Sequence, residues 1–445
     1  MFDRLVDEAL ADAAVVRLKQ AGVERGAIVA WLGLNSVEML ATLAACERLG
    51  AVLLPLNGRL AAPELQRIVA HAGAGHLLGT PEMAPLADVV RAELALRPGP
   101  AAGIEDGDLL LVYTSGTGGR PKGALHTRAG MIANAAAAID AQGFDAGTRV
   151  LAVLPLFHVG GLCIQTMPVL AAGGALRLHA RFDAGAWFDD VHAWRPTTTL
   201  LVPAVMRALI EHPRWADADL SSLAFVNSGS QIVPRSYIDA FHARGVPVAQ
   251  IYGSTESGPV SIVLRPEEAM LHPGKAGRPA LGVEVRLAGD GEILLKAPNL
   301  MRGYHREDEP SFDADGWFHT GDLAQRDAEG FYEVVGRSKE LIISGGENIH
   351  PAEIENLLAG RPELAECAVV GVPDARWGEV PVLAVVPRPG CEVDAAALLQ
   401  FLSARLARFK LPRDVVTLPV LPKTALGKVQ RAQLRSALQG GDGCC

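Results

Sequence analysis

Ten consecutive residues, Thr114-Ser115-Gly116-Thr117-Gly118-Gly119-Arg120-Pro121-Lys122-Gly123, crowd three hydroxyls, four glycines and two cations into one stretch. That mixture suits the wrapping of a polyphosphate: glycines let backbone N–H groups approach the oxygens, hydroxyls donate further bonds, and cations offset the charge. It is not a Walker A loop, because no glycine pair of that spacing precedes a Lys-Ser/Thr step. It is not a dinucleotide fingerprint either, since Pro121 stands where the third glycine after Gly116-x-Gly118 belongs. A Gly/Ser/Thr cluster is otherwise an ordinary surface loop, and the ordered Pro121-Lys122-Gly123 ending argues against that here. The run Gln250-Ile251-Tyr252-Gly253-Ser254-Thr255-Glu256-Ser257-Gly258-Pro259 offers an aromatic face for a base such as adenine, a hydroxyl for an α-phosphate and a carboxylate for Mg²⁺. Alone it would be a plain strand end. Asp322, in Trp317-Phe318-His319-Thr320-Gly321-Asp322, is a carboxylate suited to both hydroxyls of a ribose, or simply a turn aspartate. His158 taken alone is a satisfied structural histidine, and Lys428 in its glycine turn a solvated lysine.

The elements that must position these residues follow from periodicity. Residues 109–113 are a short apolar run that reads as a buried strand entering the loop, with alanine-rich helical sequence from about Ala129. Upstream, residues 5–21 repeat apolar positions at helical spacing and stop at Gly22. Residues 26–32 form a buried strand, and Asn35-Ser36 caps a helix running to Gly50. Residues 51–56 and 76–79 are further strands, with a helix from Ala62 between them. Such alternation with short connections specifies a parallel α/β layer. Strands are also expected near residues 150–154 and 196–202, and a hairpin turns at residues 327–330. Beyond Lys339 the pattern becomes a small α+β unit. It holds a strand with a Gly345-Gly346 turn, a helix opened by Pro351, strands over residues 367–372 and 382–386, a helix over 394–408 and a last helix.

A chain of 445 residues exceeds the roughly 250–300 that one core sustains, so more than one domain is expected. With 49% hydrophobic and 20% charged residues the chain is of the folded globular class. A net charge of −9 without a Lys/Arg run excludes a nucleic-acid surface. The six cysteines show neither metal spacing nor a disulfide framework. With Asp3, Asp7, Glu8 and Asp12 near its start, no signal peptide is expected. No apolar run approaches the roughly 18 residues of a membrane span, so a cytoplasmic protein without integral membrane association is expected.

The decapeptide closely resembles the phosphate loop of the acyl-adenylate-forming superfamily, which includes acyl-CoA synthetases, luciferases and peptide-synthetase adenylation domains. The family pattern is Thr-Ser-Gly-Thr-Thr-Gly-x-Pro-Lys-Gly; here Gly118 replaces the second threonine and removes one hydroxyl. The Gln250–Pro259 run, the Trp317–Asp322 run, Gly336-Arg337-Ser338-Lys339 and Pro422-Lys423-Thr424-Ala425-Leu426-Gly427-Lys428-Val429-Gln430-Arg431 follow in the family's order. The resemblance extends from about Gly22 to about Leu438. Relative to the family the chain starts late, lacking the usual opening helix and paired strands, and residues 81–108 are a short version of their segment.

The resemblance implies an α/β fold: a large N-terminal domain of layered mixed sheets and helices over residues 1–338, and a small mobile C-terminal α+β domain over residues 339–445, hinged at Lys339. It implies ATP binding by Thr114, Ser115, Gly116, Thr117 and Lys122 at the phosphates, and by Ser228, Gly229, Ser230, Tyr252, Gly253 and Thr255 around adenine and the acyl chain. Asp322 and Arg337 would hold the ribose, Glu256 the Mg²⁺, and Lys428 would be the adenylation lysine. His158 would stand at the mouth of an acyl pocket, and Gly346 and Trp377 along the pantetheine of CoA. Arg376-Trp377-Gly378-Glu379 and Phe409-Lys410-Leu411-Pro412-Arg413 resemble segments of free-standing CoA ligases, although Trp377 in interdomain packing is an alternative.

The implied activity is ATP-dependent acyl-CoA synthesis through an acyl-adenylate, with Lys428, Glu256, Thr117 and His158 as catalytic candidates. Its partners are a small carboxylic acid, ATP and CoA, with a homodimer left open. Two alternatives remain at this stage: loading of a carrier-protein arm, and a degenerate homologue that only binds nucleotide. Small residues at Gly160, Gly161, Ser228, Gly229 and Gly253 suggest room for an aromatic or medium-chain acid, and the lack of an arginine over residues 155–162 disfavours a dicarboxylate.

Overall fold

The computed structural model describes residues 1–114, 121–307, 311–345, 347–424 and 427–439. Its first sheet has six strands in the order Gly303–Tyr304, Lys122–Thr127, Asp108–Thr114, Val52–Leu56, Ile28–Leu32, His76–Gly79. Ile28–Leu32 and Val52–Leu56 are buried at every position and pair in parallel, as strands covered on both faces must. The helix between them, Val37–Leu49, starts where the Ser36 hydroxyl accepts from Met39 N at 3.3 Å and stops at Gly50, whose φ is +67°. These elements match the periodicity.

The phosphate-loop region holds one strand that periodicity did not reveal. After the loop the chain returns as Lys122–Thr127, antiparallel to Asp108–Thr114, with Thr114 opposite Lys122. The helix expected from about Ala129 follows as Arg128–Gln142, capped by the Thr127 hydroxyl, which accepts from Gly130 N at 3.0 Å. This strand is six residues long and buried at its four central positions, so it shows no two-residue alternation to read. The loop is thus held at both ends by one ladder.

A second sheet of seven strands is parallel from Ala175–Leu178 through Arg149–Ala152, Thr198–Leu201 and Val226–Gly229 to Val248–Tyr252. Ile262–Leu264 and Arg278–Pro279 add antiparallel strands at its far edge. A four-stranded antiparallel sheet, Glu284–Leu287, Glu292–Lys296, Phe318–Arg326 and Tyr332–Arg337, follows. The C-terminal part forms its own five-stranded sheet around Leu364–Asp374 and Gly378–Pro387, over a core that includes Ile349, Ile354, Val369, Leu383 and Leu398. The helix expected over residues 394–408 ends at Ser403, and Lys410 instead pairs with Glu353 at 2.7 Å. The architecture is therefore mixed α/β, a large multi-sheet N-terminal part with a small α+β domain. The helix Pro351–Leu358 lies against the strand Tyr332–Arg337, and among the described residues two side-chain hydrogen bonds join the parts. Arg207 Nη1 donates to Ala365 O at 2.5 Å, and Arg388 Nη1 to Glu211 Oε1 at 2.7 Å.

Candidate active site

Asp322 lies directly opposite Arg337 in the register of Phe318–Arg326 and Tyr332–Arg337. Arg337 Nε donates to Oδ1 at 2.6 Å, and the Tyr252 hydroxyl donates to Oδ2 at 2.9 Å. Asp322 is only 6% exposed, so this is a carboxylate whose orientation is fixed from both sides. Each oxygen keeps acceptor capacity beyond these bonds, which is what holding a pair of hydroxyls requires. Burial, and then the negative charge of Asp322, raises the pKa of Tyr252, so it stays a protonated donor.

Glu256 is held from a place the sequence does not advertise. Its Oε1 accepts from the Tyr304 hydroxyl at 2.8 Å, and its carbonyl accepts from Met301 N at 2.8 Å. Tyr304 reaches this position because Gly303–Tyr304 pairs with Lys122–Thr127, placing Tyr304 opposite Ala124. Lys122 Nζ stands 5.0 Å above the Tyr304 ring. One aromatic ring therefore sits between the cation at the loop's end and the Glu256 carboxylate. Tyr304 was outside the motifs because it lies 48 residues beyond Glu256 in a two-residue strand. Tyr304→Phe should weaken Mg²⁺-dependent pyrophosphate release by about 1–3 kcal/mol, the worth of one hydrogen bond to a charged group. A Mg²⁺ titration of the variant measures it.

The glycines around the site have a reason other than room. A Cβ on Gly253 would fall 1.7 Å from Pro259 O, one on Gly229 2.3 Å from Ile251 O, and one on Gly161 2.2 Å from Pro155 O. These three permit close backbone packing. Gly160 alone of the glycines expected to leave room could carry a Cβ without a clash, its nearest neighbour being Ser230 Oγ in ordinary contact at 3.8 Å. Ser228 is fully buried with its hydroxyl turned to Leu201 O at 2.9 Å, while Ser230 adopts a φ of +67° that non-glycine residues seldom hold. Thr255 is half-buried between Tyr252 and Glu256, and the Thr114 hydroxyl donates to Lys122 O at 3.4 Å.

His158 packs against Phe157 with ring centroids 5.5 Å apart. Burial, with Arg59 nearby, lowers its pKa to about 4, so its imidazole is neutral at pH 7. It can line or gate a passage, or exchange hydrogen bonds, but it brings no charge. Ser115, Gly116, Thr117, Gly118 and Gly346 lie outside the described residues.

From the small domain comes Lys428. Its turn is closed by Thr424 N donating to Lys428 O at 2.7 Å and Lys428 N donating to Thr424 Oγ1 at 3.2 Å. The side chain is half-buried within electrostatic reach of Arg337, Glu340, Asp322 and Arg431, and burial followed by Arg337 lowers its pKa. The structure thus brings Lys428 to the Asp322–Arg337–Tyr252 group across the domain seam. Lys339 occupies the short 3-10 turn Ser338–Glu340 between the large domain's last strand and the small domain's first. Trp377 is 45% exposed and receives a bond from Gly345 N to its carbonyl at 2.8 Å. Gly345 has φ +60°, and a Cβ there would lie 2.6 Å from the indole Cε3, so Gly345 lies flush on the ring.

Among the described residues no group of three or more His, Cys, Asp or Glu side chains is placed to hold a metal. A lone carboxylate nevertheless suits Mg²⁺, which is commonly bound by one or two carboxylates together with substrate phosphates.

Comparison with known proteins identifies the family. The AMP-binding enzyme family model matches residues 5–305, and the AMP-binding enzyme C-terminal domain model matches residues 353–428. An indoleacetate–CoA ligase of Aromatoleum aromaticum is 46% identical, over 94% of this chain and 89% of its own. A feruloyl-CoA synthase of an Amycolatopsis species is 41% identical, over 94% and 90%. The solved structure of O-succinylbenzoate coenzyme A synthetase from Bacillus subtilis, in complex with ATP and magnesium ion, superposes with a TM-score of 0.84 at 31% identity, over 96% of this chain and 93% of that one. No helix among the described residues is long and apolar enough to cross a membrane. The chain belongs to the AMP-binding enzyme family, on its acyl-CoA synthetase side.

Proposed function

We propose that this protein joins an aryl-substituted carboxylic acid, of the arylacetic or arylacrylic kind, to CoA at the expense of ATP. The acid's carboxylate oxygen attacks the α-phosphorus and pyrophosphate leaves, giving the acyl-adenylate. The CoA thiol then attacks the acyl carbonyl and AMP leaves. The observation that carries this reading is the meeting of Lys428 with the Asp322–Arg337–Tyr252 group, a cation delivered to a site built for a ribose and its α-phosphate. The choice of acid is supported by the two relatives, whose acids carry an aromatic ring a short link away from the carboxyl group.

In the adenylation step, Asp322 and Arg337 hold the ribose, Tyr252 stacks on the adenine, and Lys122 and Lys428 offset the charge that develops as two anions meet. Bound at Glu256, Mg²⁺ would supply further charge neutralisation at the phosphates. The neutral imidazole of His158 forms part of the wall beside the acyl group. The domain boundary falls at Lys339, about which the small domain turns to exchange Lys428 for the Gly345 turn and Trp377.

A panel of indoleacetate, ferulate, benzoate and hexanoate, assayed for pyrophosphate release and then for thioester on adding CoA, tests the reading. An aryl acid should be preferred; preference for hexanoate would overturn the substrate class, and release with none would overturn the activity. Trp377→Ala should keep adenylation while CoA use weakens by about 1–2 kcal/mol, the scale of lost aromatic packing. The KM for CoA against that for ATP reports it.

A further inference from the structure

Glu340 directly follows the hinge lysine, and cations from both sides of the hinge surround its carboxylate. Arg431 Nε donates to Oε2 at 2.9 Å, and Arg337 and Lys428 both feel its charge. Both terminal nitrogens of Arg431 are committed as well. Nη1 and Nη2 fork onto the two oxygens of Glu355 at 2.7 and 2.9 Å, and Nη1 also reaches Val369 O at 2.7 Å. Glu355 Oε1 in turn accepts from Val369 N at 2.6 Å. Glu355 belongs to the helix Pro351–Leu358, Val369 to the strand Leu364–Asp374, and Arg431 opens the last helix three residues after Lys428. A single guanidinium therefore ties the hinge segment, a helix, a central strand and the Lys428 turn together. Forked Arg–carboxylate contacts fix orientation as well as distance.

We propose that Glu340 and Arg431 are positioning residues for the adenylation step, coupling the placement of the Lys428 ammonium to the setting of the hinge. Arg431 fastens the Lys428 turn to the body of the small domain, and Glu340 fastens the same guanidinium to the hinge segment. Hinge angle and lysine position then vary together, so Lys428 enters and leaves the site as a rigid extension of the hinge. This rests on the reading that Lys428 serves the first half-reaction. The arrangement also separates positioning from folding, because without Glu340 the guanidinium keeps its fork to Glu355 and its bond to Val369.

Glu340→Gln and Arg431→Lys, made in the full chain, test the proposal through the two half-reactions measured apart: single-turnover pyrophosphate release, and thioester formation from supplied acyl-adenylate and CoA. Glu340→Gln should slow the first by about 10–10²-fold, the scale of a misplaced reacting group, with the second near wild type. Arg431→Lys keeps the charge but loses the fork, and should follow the same pattern. A purely structural role would not move the pH profile, whereas positioning beside Lys428 should. Lys428 is faced by Arg337, Arg431, Asp322 and Glu340, so removing one of its two carboxylates shifts the alkaline limb of adenylation to lower pH. Adenylation unchanged in Glu340→Gln, or both halves falling in parallel, would overturn the proposal while the wild type turns over normally. A wild type that releases no pyrophosphate with any acid would overturn the reading beneath it, and the proposal with it.

Discussion

Lys428→Ala is expected to lose acyl-adenylate formation by about 10²–10³-fold, the usual cost of removing one preorganised charge-stabilising group. The same variant should convert supplied acyl-adenylate and CoA to thioester at close to the wild-type rate, because on the proposed rotation about Lys339 the lysine is withdrawn for that step. The pH dependence carries an independent signature. Burial and Arg337 lower the pKa of Lys428, so its ammonium loses its proton below the ordinary lysine value of about 10.4. As pH rises through that lowered value the charge disappears and adenylation falls. The alkaline limb in kcat/KM for ATP, which reports the free enzyme, should therefore lie below the ordinary lysine range and vanish in Lys428→Ala. Equal slowing of both half-reactions would make Lys428 a structural residue.

Glu256→Gln removes the carboxylate that Tyr304 holds in place while keeping its shape. Adenylation should fall by about 10²-fold, with a raised Mg²⁺ requirement, since an amide is a poor ligand for a hard cation. The second half-reaction, which involves no pyrophosphate departure, should be spared. An unchanged Mg²⁺ titration in the variant would take Glu256 out of that role.

What could be read from the sequence was what is local. The capped helix from Ser36 to Gly50 and the buried strands around it follow from short-range rules, and so does the proline-opened helix at Pro351. Ser228 illustrates the limit: its neighbours suggest an open turn, but Val226–Gly229 is an inner strand and the hydroxyl is used up on Leu201 O. Which glycines leave space and which admit another backbone depends on chain that is distant in sequence, as Gly160 and Gly253 show. Tyr304 escaped because its place is set by sheet pairing rather than by any pattern of its own. The partnership of Arg431 with Glu340 spans 91 residues, and nothing in either neighbourhood announces it.

The seam between the two domains has a consequence for turnover. Arg388 and Glu211 keep 35% and 41% of their side-chain surface in solvent, and such a pair adds only about 0–1 kcal/mol. The partly buried bond from the charged Arg207 to Ala365 O is worth more, about 1.5–3 kcal/mol. On the proposed rotation about Lys339 this seam must open at each turnover, and the Arg388–Glu211 pair is its weaker tie. Because exposed charges are screened over about 8 Å at physiological salt, raising the ionic strength should loosen that pair while leaving the buried contacts of Asp322 and Arg431 nearly untouched.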